Sequence, residues 1–562
     1  MKRIDDHQTG CFWDEWGHLG PKRRRLLEQD WPGVFRQYLF EELPVEELAQ
    51  RFHHSHGRPS KELFAITGAL VLQVLFDHTD AEAVNAFCFD LRWHYALNIR
   101  GESDQDKYVC VRSLKGYRSQ LIALGLEELL FTQLTSQLIR AFGVDPTQQR
   151  LDSSHLKSAM RNLSRLQLFV EVIHKFLVQL KKKHPQQYED LERPLRDAYE
   201  KGSDSGCFAM KPSESGKKLV EVAQDLYRLV QRFEQDAKVS EMRTYGHLCR
   251  VLREQCEVEQ GGPQPSRVQV KAPGEVGGDS LQNPSDEQAT YDKHKGKGYQ
   301  VQVMETYQPV EPENKDRGVP DLITHVKVEK ACRSDVHALS EAIEESESRG
   351  CKPERVLADG AYGSYENWQK AEAQGVELVA PGNKGSEDWE NRLGYSQFTY
   401  ETDGRIQSCP AGKAPVRTGR TPKGAYQTWF DRQSCLECPL RDKCLVTIGK
   451  KKARLPSYTA KRAFLSAHRA YEESEEFRQR YRWRAGIEAT FSRLKRQFGA
   501  NRLRVRGMRA MKYNVTLKAL AMNIHRCAQA QKARFEGLGS SYSALISTLL
   551  AKLGFNKRCW AA

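Results

Sequence analysis

Over the first 145 residues, apolar positions recur at helical spacing. The apolar run Leu63–Phe76 is followed by Thr79, with Glu82 three positions later. In that arrangement a hydroxyl and a carboxylate cap each other's backbone amides, so a second helix is predicted from Asp80. Phe87, Phe89, Leu91, Trp93 and Leu97 add apolar surface, and Leu114–Phe142 repeats the helical spacing. The pattern predicts a compact helical N-terminal domain over 1–145, with its aromatic residues serving as core.

At Gln149–Ser154 the pattern becomes that of a short strand ending in the polar turn Asp152-Ser153-Ser154. From Leu156 to Glu259 it is helical again, with charged faces around Phe169–Leu180 and Leu219–Phe233, which predicts a helical insertion over 159–260. Residues 261–290 are rich in Gly, Pro, Ser and Gln and too polar to fold alone, so a flexible linker is expected there. Alternation of period two returns at Tyr299–Thr306 and Leu322–Val328. A helix over Asp335–Ser348 and a short buried strand, Arg355–Ala358, come next; the strand stops at Asp359-Gly360. Another helix then leads to a strand at Val376–Ala380. These elements predict an α/β fold with a mixed sheet, Asp152 ending its first strand and Asp359 its fourth. The sheet domain then comprises 146–158, 291–384 and a helical, basic segment at 471–530, with a Cys-rich insertion at 385–470 and a C-terminal tail at 531–562.

A chain of 562 residues can bury more than one core, in keeping with this division. Its 87 Lys and Arg against 73 Asp and Glu give a net charge of +14, which favours a polyanionic partner. No run is long enough to span a membrane, and the N-terminus MKRIDDHQTG lacks the apolar core of a signal peptide, so a cytoplasmic protein without membrane contact is expected. In that reducing compartment the 14 cysteines read as thiols or metal ligands.

Between 480 and 512 there are eleven Arg or Lys and one acid, Glu488. On a helix, Tyr481, Arg484, Glu488 and Lys495 fall within an arc of about 60°. Arg484 and Glu488 also stand at i and i+4, the spacing of an ordinary surface ion pair. One carboxylate cannot balance eleven cations, and the surplus calls for another anion, for which DNA phosphate fits. Arg493 and Arg496 on the same helix extend the basic surface. Beyond it Arg502, Arg504 and Arg506 alternate with apolar residues, as a strip along a DNA backbone or as a solvated loop. Asp152 and Asp359, taken singly, read as turn or cap residues. Trp368 and Trp483 suit core packing or stacking on an unpaired base.

Cys409, Cys435, Cys438 and Cys444 form a second group, a Cys-x2-Cys pair in a Pro-bearing turn joined by two further thiols. Four such thiols suit a tetrahedral structural Zn²⁺; unligated thiols and a redox pair are the alternatives.

The spacing Tyr-x2-Arg-x3-Glu-x6-Lys at Tyr481, Arg484, Glu488 and Lys495 resembles the signature of a large group of bacterial insertion-sequence transposases with a DDE catalytic triad. Asp359-Gly360-Ala361-Tyr362 resembles their second motif, and Asp152 after its strand resembles the first. The phrase ATYDKHKGKGYQVQV at 289–303 looks like the lead into their second strand, and residues 44–143 resemble their helical N-terminal, DNA-binding domain. The resemblance implies an RNase H-like core and breakage and joining of DNA. Asp152, Asp359 and Glu488 would hold two Mg²⁺ or Mn²⁺ ions, while Tyr481, Arg484 and Lys495 would contact the transposon end. Its partners would be terminal inverted repeats and target DNA. Two ends cut together imply a homodimer or higher assembly on DNA, associated with the nucleoid. A silent or domesticated DNA-binding relative and a nuclease without strand transfer are the rival readings.

Overall fold

The computed structural model describes residues 1–7, 16–203, 212–259, 267–382 and 393–552. Every element between Pro21 and Phe142 is helical. Helix α1 (Leu63–Leu75) is apolar on all sides and almost wholly buried, as a helix enclosed by its neighbours must be. After it, Thr79 and Glu82 form the expected capping box: Thr79 N–H donates to Glu82 at 2.7 Å and Glu82 N–H to the Thr79 hydroxyl at 3.3 Å. Gly125 takes the left-handed conformation that divides the apolar stretch 111–142 in two, and the second half is α2 (Leu126–Phe142).

A second helical unit has its own core. Helices α3 (Arg165–Lys183), α4 (Pro212–Phe233) and α5 (Arg243–Gln255) bury Phe169, Phe176, Leu226, Phe233 and Leu248 against one another. It closes with a two-stranded ladder, Cys256–Glu259 against Arg267–Val270. The flexible linker expected over 261–290 is corrected here. Residues 261–266 lie outside the described residues, but Leu281, Asn283, Asp286 and Ala289 are buried. Asn283 Nδ2 donates to the Arg161 carbonyl and the Tyr299 hydroxyl to Asp286, so polar side chains pin a segment that has little apolar surface.

The central sheet contains β1 (Gln148–Leu156), β2 (Gly296–Thr306), β3 (Ile323–Lys330), β4 (Arg355–Ala358) and β5 (Glu377–Val379). Their order is β3-β2-β1-β4-β5; β3, β2 and β1 pair antiparallel, and β4 and β5 continue parallel from β1. The short strand Thr290–Asp292 pairs with the start of β2. Helices α6 (Ala338–Ser348) and α7 (Tyr365–Ala373) cover one face, where Leu151, Met304, Val356 and Ala358 pack on Leu339, Ile343 and Trp368. Trp368 is therefore core, and its indole N–H donates to the Leu378 carbonyl at 3.1 Å.

The opposite face receives α8 (Gly486–Arg496). The single helix expected through Tyr481–Lys495 is interrupted: a helix ends at Tyr481, Arg482–Ala485 form a 3-10 turn, and α8 starts at Gly486. A Cβ at Gly486 would overlap the Arg150 guanidinium, so a glycine at this position lets α8 approach β1 closely. The expected tail from 531 is also corrected, because α9 runs unbroken over Met508–Lys552. Gln531 and Arg534 on α9 donate to the carbonyls of Glu28, Gly318 and Phe142. Asn523 on α9 both donates to and accepts from the Ile323 backbone at 2.8 Å, satisfying edge-strand groups of β3, and donates to Thr135 of α2. The helices before Phe142 do not close a core of their own as expected for 1–145: Leu70, Leu134, Val301, Val303, Ile323, Phe491 and Leu520 lie in one continuous core with the sheet, α8 and α9, and the Asn523 amide is buried within it.

Between Leu393 and Tyr458 lies a small unit of short strands with a two-stranded and a four-stranded sheet. No helix among the described residues is long and apolar enough to cross a membrane.

Candidate active site

Strand register brings the first two acids together. The parallel ladder of β1 and β4 ends at Leu151 opposite Ala358, so the next residues, Asp152 and Asp359, leave adjacent strands side by side. Asp152 is not at the end of its strand as expected. It is the fifth residue of nine, because pairing with β2 continues to Leu156 opposite Tyr299. Side chains alternate between faces, so Asp152 shares its face with Arg150 and not with Leu151, and this is the face that α8 covers. The Asp359 carboxylate accepts from the Ala361 N–H at 2.9 Å.

The third acid, Glu488 on α8, reaches this point through Arg484. The Arg484 Nη2 donates to Asp152 Oδ2 at 2.7 Å, and its Nη1 donates to Glu488 Oε1 at 3.4 Å. Asp152 is buried, whereas the Glu488 side chain is 69% exposed and opens toward solvent. Burial pushes the Asp152 carboxyl up to about 6, against the pull of Arg484 and the Ser153 N–H; the charges of Asp359 and Asp335 push the same way as burial. Tyr481 packs on Phe477 beside the acids, and its hydroxyl is pushed up to about 12 by burial, opposed by Arg484 and reinforced by Asp359 and Asp152. Tyr481, Arg484, Asp152 and Asp359 thus act on one another where β1 and β4 part, with two carboxylates beside one guanidinium.

The sequence did not single out the residues that hold this strand end. Asp335 accepts from the Ser153 hydroxyl at 3.0 Å, from Lys295 Nζ at 3.0 Å and from Gln302 Nε2 at 2.7 Å. Tyr362 is wholly buried, and its hydroxyl donates to Gln302. Lys295 and Gln302 lie in the phrase 289–303 and Tyr362 in the second motif, so their positions were marked though their roles were not. Asp335 carried no signal.

Behind the site, α8 is locked to the sheet. Glu305 of β2 is fully buried and accepts from Arg150 at 2.8 Å, Arg526 at 2.8 Å and the Thr490 hydroxyl at 2.7 Å. Burial raises its carboxyl, but Arg526 and Arg150 outweigh that and hold it below the ordinary range. Arg150 also donates to the Trp483 carbonyl at 2.8 Å, fixing the turn before α8. Trp483 itself is half-buried beneath the Arg482 guanidinium.

The basic residues are spread over two places. Lys495, Asn501, Arg504, Lys518 and Arg118 line a cleft of 510 Å³ together with Asp77. Arg502 also lines this cleft, and Arg502 and Arg506 fasten the loop before α9 to the carbonyls of Met160 and Ala159. Arg493 is half-buried against His525 and Gln529, while Arg496 is exposed.

Cys409, Cys435, Cys438 and Cys444 come together around one cavity in the small unit, all as free thiols. Among the described residues, Glu329, His337 and Glu341 are the group whose ligand atoms already lie within 4.8 Å of one another. Arg333 and Lys327 pair with its two carboxylates and leave no net charge for an ion. Neither the triad nor the four thiols are so tightly drawn, and in the triad the Arg484 guanidinium stands between Asp152 and Glu488.

Residues 408–528 match a family model described as Transposase DDE domain. This match supports a DDE transposase, and it spans the cysteine group, Glu488 and the first part of α9. Asp152 and Asp359 lie outside it. No curated protein and no solved structure matches the chain.

Proposed function

We propose that this protein is a DNA transposase that cuts at insertion-sequence ends and joins the freed 3′-hydroxyl to target DNA. The observation that carries this reading is the convergence of Asp152, Asp359 and Glu488 around Arg484, together with the family match over 408–528. The strand order β3-β2-β1-β4-β5 supports an RNase H-like core. Asp152, Asp359 and Glu488 would hold two Mg²⁺ or Mn²⁺ ions, which supply charge neutralisation at the attacking and leaving oxygens of a phosphodiester.

The chain's own residues do the positioning. The Glu305 lock sets α8 against β1, which fixes the distance between Glu488 and the two aspartates. Arg484 has one guanidinium shared between two carboxylates and can exchange either for a phosphate oxygen, so DNA entry and freeing of the acids are linked. Tyr481 walls the site on the side of Phe477. Lys495 and Arg504 would track the backbone of the end, and binding of two ends at once calls for at least two copies of the chain on DNA.

The test is incubation of the purified chain with its flanking inverted-repeat DNA, a target plasmid and Mg²⁺ or Mn²⁺. Strand-joined product is expected. Cleavage without joining would favour a simple nuclease, and binding without cleavage a silent relative. Asp359→Ala and Glu488→Ala should abolish cleavage and retain end binding; cutting by either variant overturns the assignment.

A further inference from the structure

The four cysteines at 409, 435, 438 and 444 play no part in the reading above. Two loops distant in sequence carry them to one place. Cys409 ends the ladder Ile406–Ser408 against Thr399–Tyr400, and its carbonyl accepts from the Gly412 N–H in a tight turn. Cys435 lies on the short helix Arg432–Leu436, whose start is capped by the Asp431 carboxylate accepting from the Ser434 N–H at 2.8 Å. Cys438 precedes Pro439, and Cys444 follows the turn Arg441–Lys443.

Burial raises the question of what holds the second loop in place. Neither Arg432–Leu436 nor Arg441–Lys443 contains a buried residue. The unit's core is small, formed around Tyr395, Phe398, Ile406, Tyr426, Phe430, Leu455 and Tyr458. From the loop, Cys435, Cys444, Leu445 and Val446 pack on this core, and Cys409 joins them from the 409 turn. Small units with so little buried apolar surface usually need a covalent or metal staple. A disulfide is not present, since all four thiols are free.

We propose that these four thiols form a structural Zn²⁺ site that fastens the 431–446 loop to the 409 turn. Zinc takes four thiolates in a closed tetrahedron with Zn–S near 2.3 Å, which sets the sulfurs about 3.8 Å apart. No three of these sulfurs lie mutually within 4.8 Å, so loading draws the thiols together over Phe430, which lines the same cavity. Each thiol loses its proton to solvent as the bond to zinc forms, with no oxidation of sulfur or metal. With no open position, the ion serves the fold, apart from the hard-cation chemistry of the carboxylates.

The experiment measures metal in the full-length chain purified without chelator. About one Zn per chain is expected, in wild type and in Asp359→Ala alike, and loss of at least nine-tenths of it in the double variant Cys435→Ser/Cys438→Ser. Because that variant could misfold, wild type exchanged into Co²⁺ supplies the second measurement. Strong visible bands of tetrahedral cobalt with a thiolate charge-transfer band are expected. Zinc-free protein whose four thiols react equally fast with and without added Zn²⁺, or cobalt spectra of octahedral oxygen ligation, would overturn the site. Retained zinc in a chain that fails to cut DNA would leave this proposal standing while sinking the transposase reading.

Discussion

Arg484 and Asp152, 332 positions apart in sequence, are joined by a 2.7 Å hydrogen bond that links the turn before α8 to the sheet. The same guanidinium opposes the burial that raises the Asp152 carboxyl to about 6. Arg484→Ala should therefore shift the acidic limb of a cleavage-rate profile to higher pH and slow single-turnover cutting by about a hundredfold or more. Arg484→Lys should restore part of the shift, since a point charge replaces only half of a forked donor. A profile whose acidic limb stays put in both variants would separate Arg484 from Asp152.

The raised Asp152 carboxyl also sets a pH dependence of stability. Its ordinary value is 3.8, so the folded protein binds this proton more tightly than the unfolded chain does. The contribution is fully present below pH 4 and is lost as pH rises through about 6, which at pH 8 leaves the ionised, buried group costing about 3 kcal/mol. Asp152→Asn should thus melt at a higher temperature than wild type at pH 8 without divalent cations, and at the same temperature near pH 4. Added Mg²⁺ should stabilise the wild type and not the variant. A higher melting temperature for wild type at pH 8 without cations would show that Arg484 outweighs burial.

Glu305 sits between two cations, Arg150 and Arg526, in a space from which water is excluded. Removing it leaves both charges buried without their shared partner, so Glu305→Ala should cost about 3–5 kcal/mol in chemical denaturation. Glu305→Gln keeps hydrogen-bond acceptance and should cost less. Cleavage should fall in both variants more than end binding does, because α8 carries Glu488 on one face and seats Thr490 on Glu305 with another.

Sequence and structure agree where a single periodicity decides. Five of the sheet's six strands, the capping box at Thr79 and the acid on α8 all follow from patterns of two, three or four residues, whereas the short strand Thr290–Asp292 does not. The misreadings arise where tertiary contacts override composition. Residues 280–290 look like a linker because they have few apolar side chains, yet Leu281 and Ala289 are buried and Asn283 and Asp286 are tied by hydrogen bonds to distant segments. The 3-10 turn at Arg482–Ala485 is set by Arg150 gripping the Trp483 carbonyl, a contact across 333 positions that no local spacing encodes. Asp335 was missed for the same reason, since its partners Ser153, Lys295 and Gln302 are assembled only by the sheet.

Lys495 and Lys518 line the same cleft and should behave differently. Lys518 is 2% exposed and donates to Asp77 at 2.8 Å and to the Phe498 carbonyl, so its charge is already spent inside the protein. Asp77 takes a left-handed backbone conformation, φ 50°, to face both Lys518 and Arg504, and Gly499 leaves room for its carboxylate. Lys495 is half-buried and has a second cation, Lys157, near enough to lower its pKa along with burial, so it gains from a phosphate. Lys495→Ala should lower the slope of log affinity against log salt for DNA by about 0.9, the change for one phosphate contact, with little effect on melting. Lys518→Ala should leave that slope unchanged and lower the melting temperature, because Asp77 loses its buried partner. Equal slopes for wild type and Lys495→Ala, measured from 50 to about 200 mM salt, would remove the cleft from the DNA path.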